Sequence, residues 1–353
     1  MNPKTKIMAE ASTPLAQGPE PAPRQRVLLV ERLRQRRYWL HGLLLILTLI
    51  TTLTVGARLE YNFQHNLPAF VSETYVLPAL LARPMFHSTE PVLIDLPFPL
   101  RWVWEHPQRL GLGIPFAFTL MGILLAHEMG HFVYCQRYGV YATLPYFLPG
   151  PLLSPIGTFG AVIRIKSPIR NRQALFDIGI AGPIAGFVVA VPVLLAGLAL
   201  SKPLVPQASG SLINFGFPLV FHLAHWALHG LAPQVPPLES IYLHPVGVAA
   251  WVGMLATALN LLPGGQLDGG HLVYAVAPRA HRRVTLAAVV VLIVLSRLWY
   301  GWLIWAMILG LIARRHPAVP VWPDLDARRK AWSLVALLLL ALTWTPIPIL
   351  LSN

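Results

Sequence analysis

The sequence predicts an all-α polytopic membrane protein with about six to seven transmembrane helices and a short membrane-associated β-hairpin. Of its 353 residues, 55% are hydrophobic and only 12% are charged. Several uncharged apolar runs reach the roughly 17–25 residues that a helix needs to cross a bilayer. This hydrophobicity excludes a disordered chain, and the single cysteine excludes a disulfide scaffold.

The apolar runs define the expected membrane spans. They cover residues 38–57, 111–136, 174–201, 241–262, 284–313 and 332–351. The fifth run contains Arg297, so we expect it to form two short spans that turn between Arg297 and Gly301. That division raises the expected number of spans to seven.

The distribution of basic residues predicts the orientation of the chain. Its net charge is +13, and 21 of its 27 Lys and Arg lie, with five acids, in alternate connecting segments. These segments are residues 1–37, 137–172, 279–283, 314–315 and 328–330, together with the acids near 324–326. By the positive-inside rule this side, which includes the N-terminus, is cytoplasmic. Because the charge marks loops rather than a folded basic surface, no nucleic-acid partner is expected.

Three acids remain within the apolar regions, namely Glu128, Asp177 and Asp268. An ionisable side chain at membrane depth is a functional hypothesis by default. Glu128 belongs to the motif His127-Glu128-Met129-Gly130-His131. Two histidines four residues apart share one face of a helix and can bind one zinc ion, while the acid can take a proton from water. The alternative is a pair of buried, hydrogen-bonded histidines with an acid paired to an arginine.

Asp268 lies in a second motif, which runs from Asn260 to His271. This segment ends an apolar run and then interrupts it with Pro263 and several glycines. Irregular backbone at membrane depth is tolerated only where protein or a water-filled cavity surrounds it. A catalytic zinc needs a third protein ligand, and the acids that follow the first motif are Asp177, Glu239, Asp268, Asp324 and Asp326.

Together the two motifs resemble the site-2 protease family of intramembrane zinc metalloproteases. That family combines H-E-x-x-H with N-x-x-P-x-x-x-L-D-G, and both patterns stand unbroken here at 127–131 and 260–269. Residues 157–161 and 177–186 also resemble the family, whereas the 202–240 connection is too short for a PDZ domain. The resemblance covers roughly residues 110–275 and favours the subgroup that lacks this domain.

The resemblance implies specific roles for five residues. His127, His131 and Asp268 would bind one Zn²⁺ per chain, and Glu128 would be the general base and then the general acid. Asn260 would hold the substrate backbone or the oxyanion, although it could instead cap a helix before Pro263. The predicted orientation places both motifs towards the cytoplasmic side, so they could meet.

Other polar and strand-forming residues are less specific. Phe159 to Ile165 alternates and is rich in β-formers, so it predicts a short strand. Its edge could pair with an unwound substrate, or it could be an ordinary surface hairpin. Asp177 is expected to pair with Arg170 or Arg172, or else to orient a ligand histidine. No role is assigned to His271.

The resulting functional prediction is an intramembrane zinc endopeptidase that acts on transmembrane protein substrates within the lipid bilayer. The expected parts are a cytoplasmic arm, a first transmembrane helix, an external or interfacial segment, a catalytic membrane core and C-terminal transmembrane helices, at 1–37, 38–57, 58–110, 111–278 and 279–353. The composition favours a bacterial cytoplasmic membrane and leaves the oligomeric state open. One alternative is a prenyl-protein type of protease, but its third ligand would be Glu239, on the outer side. Another is a non-proteolytic membrane metal-binding or transport protein.

Overall fold

The structure, a computed structural model, describes residues 38–77, 92–152, 154–208, 213–230, 232, 234–312, 319–320 and 323–351. The chain divides into two units, Met1–Leu40 and His41–Asn353. In the first unit the structure describes only 38–40, the first turn of a helix. The arm expected at 1–37 therefore lies outside the described residues, as do 78–91 of the expected external segment.

Helices make up most of the described chain, as the sequence predicts. The α-helices are α1 (Tyr38–Gln64), α2 (Leu100–Glu105), α3 (Ile114–Arg137), α4 (Arg172–Ala199), α5 (Leu219–His229), α6 (Pro245–Asn260), α7 (Asp268–Val276), α8 (His281–Leu295), α9 (Gly301–Ile312) and α10 (Ala327–Thr343). Short 3₁₀ helices cover Pro107–Gly113, Pro206–Ala208 and Leu238–Ser240.

Three helical stretches are long and apolar enough to cross a membrane. They are Tyr38–Gln64, Pro107–Arg137 and Arg172–Ala199, and the apolar helices Pro245–Asn260 and Gly301–Leu311 are shorter. A helix of 27 residues is about 40 Å long, which exceeds the roughly 30 Å hydrocarbon core. A helical, membrane-embedded protein is therefore confirmed, while the number of six to seven spans stays a prediction.

The C-terminal apolar runs test two further predictions. The break expected near Arg297 is confirmed, because α8 ends at Leu295 and α9 begins at Gly301. The expectation of one apolar span over 332–351 is wrong in its extent. The helix ends at Thr343, because Pro346 and Pro348 cannot extend it, and a strand follows only at Ile349–Leu351.

The strands are short and pair as antiparallel two-stranded sheets. They are β1 (Glu73–Leu77) with β2 (Val92–Leu96), β3 (Tyr146–Pro149) with β4 (Thr158–Val162), β5 (Lys202–Pro203) with β7 (Ile241–Tyr242), and β6 (Ile213–Phe215) with β8 (Ile349–Leu351). The strand expected at Phe159–Ile165 is confirmed in part: β4 ends at Val162, and an isolated bridge pairs Ile165 with Ala142 beyond it.

Helices α3, α4 and α6 pack around the main hydrophobic core, which includes Phe116, Leu194 and Met254. Small residues allow these helices to approach closely, as is typical of membrane helices. A methyl group at Gly130 of α3 would overlap the Ala181 carbonyl of α4. Since Gly130 lies within the first motif, the same sequence supplies the polar site and the close helix contact.

Candidate metal centre

The two sequence motifs meet at one cluster of side-chain atoms. Nε2 of His127 and Nε2 of His131 are 3.2 Å apart. Oδ2 of Asp268 lies 3.2 Å from the first nitrogen and 3.3 Å from the second. Among the described residues these three side chains form a group that could hold a metal ion.

The spacing of these atoms fits a zinc ion. A tetrahedral zinc with ligand bonds of about 2.0–2.1 Å separates its ligand atoms by about 3.3 Å. The three observed separations lie at this value, although hydrogen bonding alone would also bring such atoms close. The donor set of two imidazoles and one carboxylate is a common catalytic zinc set that keeps a fourth position for water.

The imidazole of His131 is held in the orientation that metal binding needs. Its Nδ1 lies 2.7 Å from the backbone carbonyl of Ile178 in α4, so Nδ1 carries the proton and donates it. The opposite nitrogen then keeps its lone pair for the cluster. Such a hydrogen bond is the usual way in which a protein fixes the tautomer of a ligand histidine.

Glycines on α4 provide the space for both imidazoles. A methyl group at Gly182 would overlap the ring of His131, and one at Gly186 would lie 3.1 Å from Cβ of His127. The glycines, one turn apart, therefore leave the face of α4 bare opposite the histidines of α3. His127 and His131 are buried at 5% and 7% exposure.

Asp268 reaches the cluster because the chain reverses tightly between α6 and α7. Gly269 and Gly270 follow it, and a side chain at either would overlap backbone carbonyls of 261–265. From α8, His281 contacts the Gly265 carbonyl at 3.1 Å, and the Thr285 hydroxyl accepts from the Gly265 N–H at 3.3 Å. These contacts brace the irregular segment at the start of α7.

Glu128 lies beside the cluster without being part of it. It is 7% exposed, and its Oε2 accepts a hydrogen bond from the backbone N–H of Ile163 at 2.9 Å. Ile163 directly follows β4, so the hairpin fixes the carboxylate. Strand and helix are thereby joined at the residue that the sequence assigns as the base.

A cavity of about 230 Å³ connects these groups. Glu128, Asn260 and His271 line it together with the cluster and the end of β4. The amide nitrogen of Asn260 lies 3.3 Å from Nε2 of His127, at the end of α6. A cavity of this size, lined in part by charged and amide side chains, has room for water molecules.

Comparison with known proteins identifies the family of this fold. The model of peptidase family M50 matches residues 115–298, which is more than half of the chain and includes both motifs. The chain belongs to peptidase family M50. This confirms the resemblance to site-2 proteases, and residues 115–298 are called the M50 core below.

Two plant proteins share further sequence with the M50 core and its flanks. "Probable zinc metalloprotease EGY1, chloroplastic" of Arabidopsis thaliana is 31% identical over 353 residues, which cover 95% of this chain and 59% of the relative. "Probable zinc metalloprotease EGY2, chloroplastic" of the same plant is 29% identical over 253 residues, covering 69% of this chain and 44% of the relative. The chain thus spans less than two thirds of the length of these relatives.

The structure corrects the expected partner of Asp177. Its carboxylate pairs with Arg329 of α10, at 2.6 Å between Oδ2 and Nη2, rather than with Arg170 or Arg172. Arg172 instead pairs with Asp324. Both pairs join the start of α4 to a segment about 150 positions later, a distance over which charge patterns do not define a partner.

Sequence reasoning also missed backbone groups of the M50 core. The Ile178 carbonyl and the Ile163 N–H hold His131 and Glu128. Backbone groups leave no mark in a sequence, because every residue except proline offers the same donor and acceptor. The spacing of Gly182 and Gly186 is the one signal that could have indicated where α4 faces the histidines.

We expect that Gly182→Ala weakens zinc binding by at least about 10-fold, as disturbing the supports of a ligand typically does. The added methyl group would overlap the His131 ring and move Nε2 away from the cluster. The zinc affinity of the purified protein, measured by competition with a chromophoric chelator, checks this. Gly122→Ala in α3 is the matched control, because no atom lies within 4 Å of its new methyl group. Equal affinities of the two variants would contradict the expectation.

Proposed function

We propose that this chain is an intramembrane zinc endopeptidase that hydrolyses peptide bonds in or near the transmembrane segments of membrane proteins. One observation carries the proposal: two imidazole nitrogens and one carboxylate oxygen lie 3.2–3.3 Å from one another, next to a buried glutamate. Membership in family M50 and the likeness to plant relatives named as probable zinc metalloproteases support the same activity.

In this proposal His127, His131 and Asp268 hold one zinc ion per chain. When bound, zinc supplies a Lewis acid that acidifies water and polarises the scissile carbonyl. Glu128 takes the proton of the attacking water and then gives it to the leaving amine. Its position in the cavity, fixed by the Ile163 N–H, suits this transfer.

Asn260 is assigned the role of stabilising the negative charge that develops on the scissile carbonyl oxygen. Its side-chain amide can donate a hydrogen bond to the carbonyl oxygen as that oxygen becomes an oxyanion. Its location at the end of α6, in the same cavity as Glu128, supports this role. A capping role alone would not require the amide to face His127, whose Nε2 is 3.3 Å away.

The edge of β4 is the proposed binding site for the unwound substrate. Among the described residues β4 pairs with β3 on one side, and Ala161 and Val162 line the catalytic cavity. A peptide whose helix has opened must satisfy its backbone groups, and adding it as a strand does so. The exposed side chains of Phe159 and Val162 would contact that peptide.

The membrane arrangement follows from charge and length. We infer six to seven spans, with the N-terminus and the basic segments on the cytoplasmic side. The composition favours a bacterial cytoplasmic membrane, whereas the two plant relatives carry chloroplastic names. In either membrane the substrate reaches the cavity from the bilayer.

Removing the metal tests the proposal. We expect the purified protein in liposomes to cleave a single-span helical reporter, tagged at both ends, within or beside its helix. A zinc chelator should abolish cleavage, and one equivalent of zinc per chain should restore it, with Mg²⁺ as the inactive control. Fragment masses locate the cut. Cleavage that survives complete zinc removal would refute the zinc mechanism, and zinc binding without cleavage of any reporter would favour the metal-binding or transport alternative.

A further inference from the structure

The orientation of His131 depends on where one carbonyl of α4 lies. The imidazole Nδ1 contacts the Ile178 carbonyl at 2.7 Å, and α4 offers no side chain at Gly182 to hold the ring otherwise. A hydrogen bond of this kind weakens steeply with small changes in distance and angle. A slide of α4 along α3 by about 1 Å would therefore loosen the ring.

The residue before this carbonyl is clamped. Asp177 receives two hydrogen bonds from Arg329, from Nε at 2.8 Å and from Nη2 at 2.6 Å. The hydroxyl of Tyr138, which follows α3, donates to Asp177, and Nη2 of Arg329 donates to this hydroxyl at 3.1 Å. The clamp of Tyr138, Asp177 and Arg329 thus joins α3, α4 and α10.

The clamp has the properties of a rigid connection. The side chains of Arg329 and Asp177 are 20% and 18% exposed, so water competes little for their hydrogen bonds. The planar guanidinium fork matches a carboxylate in one geometry. Asp326, the N-cap residue of α10, also accepts from Arg329 at 2.9 Å and helps to orient it. Tyr138 lies two helical turns beyond His131, so the clamp fixes α4 against the helix that bears the ligand.

We propose that Asp177, held by Arg329, is a positioning residue that sets the orientation of His131 through the Ile178 carbonyl. The proposal rests on the proposed function only in taking the metal as zinc. Arg329 lies beyond the matched residues 115–298, so a helix outside the M50 core completes the site. The clamp also gives a role to Asp177, the one of the three acids in the apolar regions that is neither the proposed base nor a proposed ligand.

If the clamp were merely structural, it would anchor α10 without affecting the orientation of His131. The chain offers a control that separates anchoring from orientation. Asp324 pairs with Arg172, and its backbone carbonyl accepts from Gln173 at 2.9 Å. It anchors the same segment to the first turn of α4, but it is not next to the carbonyl that holds His131. Asp324→Asn therefore tests anchoring alone.

The experiment compares Asp177→Asn, Arg329→Gln, Arg329→Lys and Asp324→Asn in the purified full chain. Zinc affinity is measured by chelator competition, and the visible spectrum of the cobalt-substituted protein reports the ligand geometry. We expect about 10-fold weaker zinc binding and a changed cobalt spectrum for Asp177→Asn and Arg329→Gln. The double variant Asp177→Asn/Arg329→Gln should bind zinc little more weakly than either single variant, because each single change already removes the same Asp177–Arg329 interaction. Arg329→Lys should recover part of the affinity, and Asp324→Asn should match wild type.

Three results would overturn the proposal. The first is wild-type zinc affinity and an unchanged cobalt spectrum in folded Asp177→Asn or Arg329→Gln. The second is an equal loss in Asp324→Asn, which would make the clamp an anchor only. The third applies if both neutral variants fail to fold: Arg329→Lys is predicted to bind zinc with intermediate affinity, so wild-type zinc affinity and an unchanged cobalt spectrum in that variant would overturn the proposal. A wild type that binds zinc but cleaves nothing would refute the proposed function alone, whereas one that binds no zinc would refute both.

Discussion

Glu128→Gln should reduce cleavage of a helical membrane substrate by about 10²–10⁴-fold, the usual contribution of a general acid–base group. The zinc content should stay at one per chain, because Glu128 is outside the group of ligand atoms. Glutamine keeps an oxygen that can accept from the Ile163 N–H, so the local geometry should survive. Initial rates in liposomes, together with metal analysis of the same sample, check both halves of this expectation.

Glu239→Gln is the matched control for this variant. Glu239 is exposed in the 3₁₀ helix Leu238–Ser240, away from the cavity, so the same change there should leave cleavage unaltered. If Glu128→Gln cleaved at the wild-type rate, Glu128 would not be the base. If it lost its zinc as well, the residue would support the metal rather than the proton transfer. An inactive variant that keeps zinc can also retain its substrates, which could then be crosslinked and identified.

The parts of the site that the sequence predicts are those that obey a local rule. His127 and His131 are four apart, and a helix places such residues on one face. The strand β4 follows from alternation, and the break before Gly301 follows from a charge inside an apolar run. Each rule depends on a few neighbouring residues, so the local structure it predicts is also found in the folded chain.

The parts that escaped prediction depend on long-range pairing. Asp177 could have met any of several arginines, and its partner Arg329 lies 152 positions away. The end of α10 at Thr343 also differs from the expected span, because apolar residues continue where two prolines already exclude a helix. Hydrophobicity indicates burial in the membrane, but it does not by itself indicate the backbone conformation.

Asp268→Ala should lower zinc affinity by about 10²–10³-fold, because a zinc-binding free energy of about 10–16 kcal/mol, shared among about four ligands, corresponds to several kcal/mol per ligand. The carboxylate oxygen lies 3.2 and 3.3 Å from the two imidazole nitrogens, and two histidines alone form an incomplete site. Cleavage should fall below detection at stoichiometric zinc. Metal analysis after dialysis and chelator competition measure the loss. Asp95→Ala is the control, because this exposed aspartate of β2 is not among the residues that line the cavity.

The outcome for Asp268 also distinguishes the metal centre from a hydrogen-bonded cluster. In a metal-free cluster Asp268 would pair with a protonated imidazole, and its removal would change stability but no zinc stoichiometry. In a zinc site its removal lowers affinity, and excess zinc restores part of the metal content, since His127 and His131 remain. Unchanged zinc content in Asp268→Ala would thus remove this carboxylate from the ligand set. The third ligand would then have to come from another oxygen or nitrogen in the cavity, whose wall also includes the polar side chains of Glu128, Asn260, Gln266 and His271.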